Sequence, residues 1–290
     1  MSPTEKHAYV TKVEYFLGLL TGGGKEWHRV RSLVQQDMMR PKSALFYIDD
    51  LSQLMDDLII KIDGMLDHNK EADITESMSE FALDAVGIMF IGSNLGVLKG
   101  SEYGKQMMEK VQQFFELSQL CLSFPPKIAP YIPVYKRFVQ VGADIFTMSR
   151  EKIDEAIKKH EQDGSLKGTI LEKMIARCGS DSDIPTVMAN DALLAGVDTT
   201  GNTAAFLLYH LATNPDKQEK LYEEIVNVIG TDGKMTEHAL TEMRYLKACQ
   251  TESARILPVI DGTTRYSYIR YPFVYITFIN CKLNAVEYIG

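Results

Sequence analysis

Three short groups of residues have types and spacings that could do chemistry. In Trp27-His28-Arg29-Val30-Arg31, Trp27 and Arg31 stand one helical turn apart, so an indole N–H and a guanidinium share a face. Such a pair suits a carboxylate or a phosphate; the alternative is a half-buried tryptophan with a cation stacked on it. The second group is Ala195-Gly196-Val197-Asp198-Thr199-Thr200-Gly201, inside a long apolar stretch. Each glycine costs a helix about 1 kcal/mol relative to alanine, and adjacent β-branched threonines weaken it further. A small residue lets a ligand approach the backbone, and a threonine hydroxyl can bond to a backbone carbonyl and open the turn; close packing of another helix over glycine is the other account. The third group is Glu252-Ser253-Ala254-Arg255. Its carboxylate and guanidinium can meet at i,i+3, usually as a surface pair worth about a few tenths of a kcal/mol.

These groups need helices to hold them, and the hydrophobic pattern supplies helices. The first 265 residues read as amphipathic helices broken by polar turns at 21–24, 67–69, 124–126, 163–165, 178–181 and 231–233, with no internal repeat. The glycine- and threonine-bearing group lies in a helix spanning Val187 to Leu211. A packing helix follows, with Asn214 as cap, Pro215 in the first turn, Leu221, Ile225 and Val228 as its buried stripe and Gly230 as its stop. The Trp27 helix starts after the glycine-rich turn. Gly22-Gly23-Gly24-Lys25 is not a phosphate loop, because Glu26 follows Lys25 and no strand precedes it.

Residues 266–290 differ in kind. Tyr266, Tyr268, Tyr271, Phe273, Tyr275, Phe278 and Tyr288 concentrate aromatics well above the chain average of 9%. Residue types with AT-rich codons predominate as well, as in translated non-coding DNA. The expectation is a spliced-in or read-through tail outside the fold; an aromatic edge strand is the alternative.

Composition excludes several classes. With 290 residues, 24% charged and 45% hydrophobic, the chain is neither disordered nor fibrous. The net charge of -8 lacks the positive field that general nucleic-acid binding requires. Cys121, Cys178, Cys249 and Cys281 show no CxxC spacing, so neither a disulfide framework nor a zinc knuckle is expected. The six histidines have no HxxxH or HExxH spacing, and no His-built metal site is expected. No apolar run approaches the roughly 20 residues of a membrane span, and Phe16 to Leu20 is too short for an export signal, so neither an anchor nor a targeting segment is expected.

Taken in order, the Trp27/Arg31 pair, the Ala195-to-Thr200 helix and the Glu252-to-Arg255 helix resemble three signatures of the cytochrome P450 family, over roughly Tyr15 to Arg265. The stretches from Gly18 to Ser43 and Tyr245 to Cys249 look most like its mitochondrial-type members in animals, arthropods especially. The resemblance implies a mainly α, partial cytochrome P450 fold around a long oxygen-binding helix, with residues 1–265 as the monooxygenase part and 266–290 as a divergent tail. It further implies heme b, with Trp27 and Arg31, and more loosely Arg265, at its propionates. Ala195 and Gly196 would leave room above the heme, and Asp198 and Thr199 would form the acid–alcohol pair that helps deliver protons. Glu252 and Arg255 would be a structural pair. Implied partners are a lipophilic small-molecule substrate and a ferredoxin-type electron donor reached through Lys247, although Thr251 occupies the family's second basic position. The implied location is the matrix side of the mitochondrial inner membrane.

One departure bears on activity. The family's axial ligand is a cysteine in an FxxGxRxCxG loop, and Cys281, in Phe278-Ile279-Asn280-Cys281-Lys282-Leu283, has none of that motif's glycine or arginine. No metal ligand is therefore assigned. The chain is expected to be truncated at both ends and inactive. The competing expectation is a non-enzymatic helical splice fragment that binds no heme.

Overall fold

The computed structural model describes Leu19 and residues 24–38, 43, 45–66, 72–122, 124, 128, 131–163, 169–179, 183–231, 233–260, 262–266 and 275–279. Cys281 and parts of all six expected turns lie outside these residues, as does most of the 266–290 segment. The described elements are α1 (Gly24–Met38), α2 (Ile48–Met65), α3 (Thr75–Val86), a π-helical turn (Gly87–Ile91), α4 (Glu102–Leu122), α5 (Pro133–Asp163), α6 (Ile170–Cys178), α7 (Ile184–Ala212), α8 (Pro215–Ile229), α9 (Glu237–Glu242), α10 (Arg244–Ile256), β1 (Gly262–Tyr266) and β2 (Tyr275–Ile279). Helix α7 is the long helix expected from the sequence, extended at both ends. No helix among the described residues is long and apolar enough to cross a membrane.

The chain divides into two compact units, Met1–Ala72 with Ser79–Asp198, and Asp73–Met78 with Thr199–Gly290. In the first unit, residues at helical spacing meet in one core: Val30 and Val34 of α1, Leu83 of α3, Met107 and Val111 of α4, Ile145 of α5, Met174 of α6, and Met188 and Leu193 of α7. Helices α4 and α5 pair through Phe114 and Phe138, whose ring centroids lie 4.6 Å apart, and through Lys110 and Asp144 at 2.6 Å.

Buried polar groups pin the connections. Tyr47 is 2% exposed; its hydroxyl accepts the Ile170 N–H at 2.8 Å and donates to the Met89 carbonyl in the π-helical turn at 3.1 Å. Burial pushes its phenol up to about 12, so it stays a donor at neutral pH. Asp84 is fully buried and accepts the N–H groups of Val97 and Leu98 at 3.0 and 3.1 Å. Thr169 and Glu172 form a reciprocal capping box that starts α6.

The second unit contains the C-terminal half of α7, then α8, α9, α10 and the hairpin. Helix α8 has the expected start and stop, and Gly230 closes it at a φ of 75°; of the expected buried stripe Leu221 is buried, whereas Ile225 and Val228 are half-buried. Asn214 corrects the expectation: its side chain does not cap α8. The amide Nδ2 turns back to donate to the His210 carbonyl at 2.8 Å, which joins α7 to α8 instead. The start of α10 is capped from a distance, because both Glu224 oxygens accept backbone N–H groups, from Tyr245 at 2.7 Å and Leu246 at 2.9 Å. Strands β1 and β2 pair antiparallel from Gly262 opposite Ile279 to Tyr266 opposite Tyr275. The pairing crosses residue 265 and places β2 within the aromatic-rich segment.

Candidate functional site

Helix α7 carries the candidate chemistry because its sequence is largely apolar and its polar positions include the neighbouring Asp198, Thr199 and Thr200. Val197 is buried, Asp198 and Thr199 are half-buried, and Ala195 is exposed. Burial holds the Asp198 carboxyl above its ordinary pKa, so it retains a proton to higher pH than a free aspartate. Gly196 has a packing partner: a Cβ there would stand 2.7 Å from Val86 Cγ2. The threonine expected to bond a backbone carbonyl does so one turn on, where the Thr203 hydroxyl donates to the Thr199 carbonyl at 2.6 Å.

In the second unit, Thr199 and Thr203 line a cavity of about 320 Å³ with Phe206, Ser253, Ala254, Leu257, Pro258, Val259 and Ile260. None of the nine lining residues is ionisable, so the space suits an uncharged, largely apolar occupant. Sequence reasoning missed Thr203 and Ser253. Thr203 was detectable as the residue one turn beyond Thr199, whereas Ser253 is brought in by tertiary packing.

A second cavity in the same unit, about 210 Å³, lies beside α10 and is lined by residues including His210, Lys217, Cys249 and Glu252. Ser253 lines both cavities, and its hydroxyl lies 3.0 Å from His210 Nδ1. Glu252 and Arg255 meet as expected, with Nε to Oε2 at 2.7 Å and Nη2 to Oε1 at 2.5 Å. The guanidinium holds the Glu252 carboxyl below its ordinary pKa. The pair is open to solvent, with 26% and 38% of the two side chains exposed.

In the first unit, Trp27 and Arg31 share a face, and the guanidinium carbon lies 5.1 Å from the indole centroid. The indole N–H donates to the Leu19 carbonyl at 3.1 Å, and the Leu19 N–H in turn donates to Asp191 of α7. The pair therefore has the stacked form, with the indole donor engaged by the chain itself. Arg265 has its backbone in β1 opposite Ile276.

A mainly α chain built on a long helix with this acid–alcohol sequence, and a neutral apolar cavity against it, defines the class to which the following comparisons assign it. Residues 4–272 match the pattern of the cytochrome P450 family, and the chain belongs to that family, whose cofactor is heme b. The match runs past Arg265. The chain is 30% identical over 279 residues to "Probable cytochrome P450 12a5, mitochondrial" of Drosophila melanogaster, covering 89% of this chain and 51% of that protein. It is 31% identical to cytochrome P450 CYP12A2 of Musca domestica and 28% identical to mitochondrial sterol 26-hydroxylase of Homo sapiens, each over 86% of this chain and 49% of the relative. The chain thus spans about half the length of the relatives it matches. Its fold is like that of the cytochrome P450DA heme domain in a crystal structure, with a TM-score of 0.62 and 18% identity, over 86% of this chain and 54% of that one.

The residues present fit heme in part. The neutral, apolar cavity beside Thr199 suits a lipophilic macrocycle or substrate. No described cysteine lines it: Cys121 lies on α4, Cys178 ends α6, and Cys249 faces the second cavity with its thiol pushed up by burial. The axial thiolate is therefore missing from the described donor set.

Proposed function

We propose that this chain is part of a mitochondrial-type heme monooxygenase that hydroxylates a lipophilic small molecule with electrons from a ferredoxin. The observation carrying this reading is the uncharged cavity against the Thr199 turn of α7. Within that reading Asp198 and Thr199 form the acid–alcohol pair that helps deliver protons, and Thr199 presents its turn to the cavity. Ala195 and Gly196 keep the helix thin, Arg31 and, more loosely, Arg265 serve heme propionates, and Glu252 with Arg255 braces α10; Trp27, whose indole N–H is held by the Leu19 carbonyl, supports Arg31 by stacking instead of donating to a propionate. Heme, when bound, would supply dioxygen activation, and the described residues provide no axial thiolate for it. Arg244 and Lys247, both exposed and three apart on α10, form a basic face for an acidic ferredoxin, while the Thr251 hydroxyl is turned to the Lys247 carbonyl at 2.8 Å. The mitochondrial relatives support a mitochondrial location, which we assign to the matrix side of the inner membrane.

By itself the chain is inactive in this proposal, and residues 266–290 form a divergent tail to the monooxygenase part at 1–265. The purified chain, given hemin, a reductant and carbon monoxide, is expected to show no thiolate-type Soret band and to hydroxylate nothing with ferredoxin and its reductase. A thiolate band abolished by Cys281→Ala would overturn the inactivity and make Cys281 the ligand. Absence of any heme binding would favour the other reading, a non-enzymatic helical splice fragment. Sequencing the transcript across the Arg265 codon tests the tail, with an exon boundary expected there.

A further inference from the structure

The Thr203 hydroxyl has one proton, and that proton is spent on the Thr199 carbonyl at 2.6 Å. Its oxygen still has lone pairs, and Thr203 is an exposed residue on the wall of the 320 Å³ cavity. Among the described residues the lining contains no ionisable side chain, and Phe206, Leu257, Pro258, Val259 and Ile260 supply most of its apolar surface. Two further hydroxyl residues line it, Thr199 of α7 and Ser253 of α10, and the Ser253 hydroxyl is engaged with His210 Nδ1 at 3.0 Å. An occupant therefore meets a half-open, largely apolar wall with an acceptor fixed at Thr203. The described lining offers a charged group no partner of opposite charge.

We propose that Thr203 is a specificity-determining acceptor of this cavity, selecting neutral, mainly apolar molecules that bring a hydrogen-bond donor, such as an alcohol, over acceptors of the same shape, such as a ketone. The proposal rests on the reading of the cavity as the ligand site. It assigns that site a polarity which the apolar lining alone does not give. A ketone placed at Thr203 sets oxygen lone pairs against oxygen lone pairs unless the hydroxyl abandons Thr199, whereas an alcohol donates without disturbing α7.

The test uses the full chain, with cyclohexanol and cyclohexanone as probes of nearly equal shape, titrated while amide and methyl resonances are followed by NMR. Cyclohexanol is expected to bind more tightly. Thr203→Val should weaken cyclohexanol about three- to tenfold, the value of one neutral hydrogen bond, and leave cyclohexanone within error. Thr203→Ser should restore the preference. The helical ladder of α7 does not depend on the side chain, and Thr203→Ala serves as a second variant if valine disturbs the fold. Equal binding of the two probes, with shifts at Thr199 and Phe206, would sink the donor preference and leave the cavity as a ligand site. A preference that survives both substitutions would likewise overturn the role of Thr203. Failure of either probe to bind saturably would overturn the proposal and the ligand-site reading together.

Discussion

The methyl that Gly196 lacks would stand 2.7 Å from Cγ2 of Val86, so α7 and the end of α3 approach through a gap that only glycine leaves open. Val86 is 8% exposed and belongs to the core of the first unit. Gly196→Ala should therefore lower stability by overpacking, a cost of about 1–3 kcal/mol set against the ~1 kcal/mol that alanine contributes to a helix. Val86→Ala makes the missing space. Urea denaturation of both single variants and the double variant should show a favourable coupling of about 1–3 kcal/mol. Additive effects would mean that the contact does not limit the approach of the helices.

Glu224 gives a second prediction in the other unit. Its two oxygens accept the N–H groups of Tyr245 and Leu246, so a carboxylate on α8 does the work that a local cap residue does elsewhere. Glu224→Ala should cost about 1–2 kcal/mol, and Glu224→Gln, which keeps only one acceptor oxygen, should cost less. Hydrogen exchange at Tyr245 and Leu246 should quicken in both, most in the alanine variant. Unchanged exchange at these two amides would refute the capping role.

Thr186 is 1% exposed, and its Oγ1 has no hydrogen-bond partner among the described residues. Thr186→Val keeps the shape and removes the stranded hydroxyl. Stability should rise by about 1–2 kcal/mol, the reverse of the usual outcome for a buried substitution. Thermal unfolding decides it; a lower midpoint would show that the hydroxyl is satisfied in solution.

What the sequence made legible was what depends on spacing along one helix. The long α7 follows from a largely apolar stretch, α8 from Pro215 and Gly230, and the Glu252–Arg255 and Trp27–Arg31 pairs from turn-by-turn neighbours. What depends on distant residues was not legible: Tyr47 joining Ile170 to Met89, Asp84 holding Val97 and Leu98, and Glu224 capping α10. Asn214 shows why local rules fall short. It stands at the capping position, yet its amide finds the His210 carbonyl one turn back, a competitor created by the bend between α7 and α8. Gly196 had two accounts open in the sequence, and the Val86 contact supplies the packing one without removing the other.

Asp198 gives the last prediction through its raised pKa, which comes from burial. The folded protein keeps this proton to a higher pH than the unfolded chain does. Below the unfolded carboxyl's pKa both states are protonated, and burial carries no ionic cost. As pH rises from that value through the folded one, the unfolded state ionises first and stability falls; above the folded value the loss is complete. Asp198→Asn removes the ionisation and keeps most of the shape. The stability of the variant relative to the native chain should therefore be lowest in acid, rise across the window just above the ordinary aspartate range, and then level off. Urea midpoints for both proteins between about pH 3 and about pH 8 measure it. A flat difference would mean that Asp198 reaches water freely. A difference of opposite slope would mean that a cation near it outweighs burial, and burial would no longer set the carboxyl pKa.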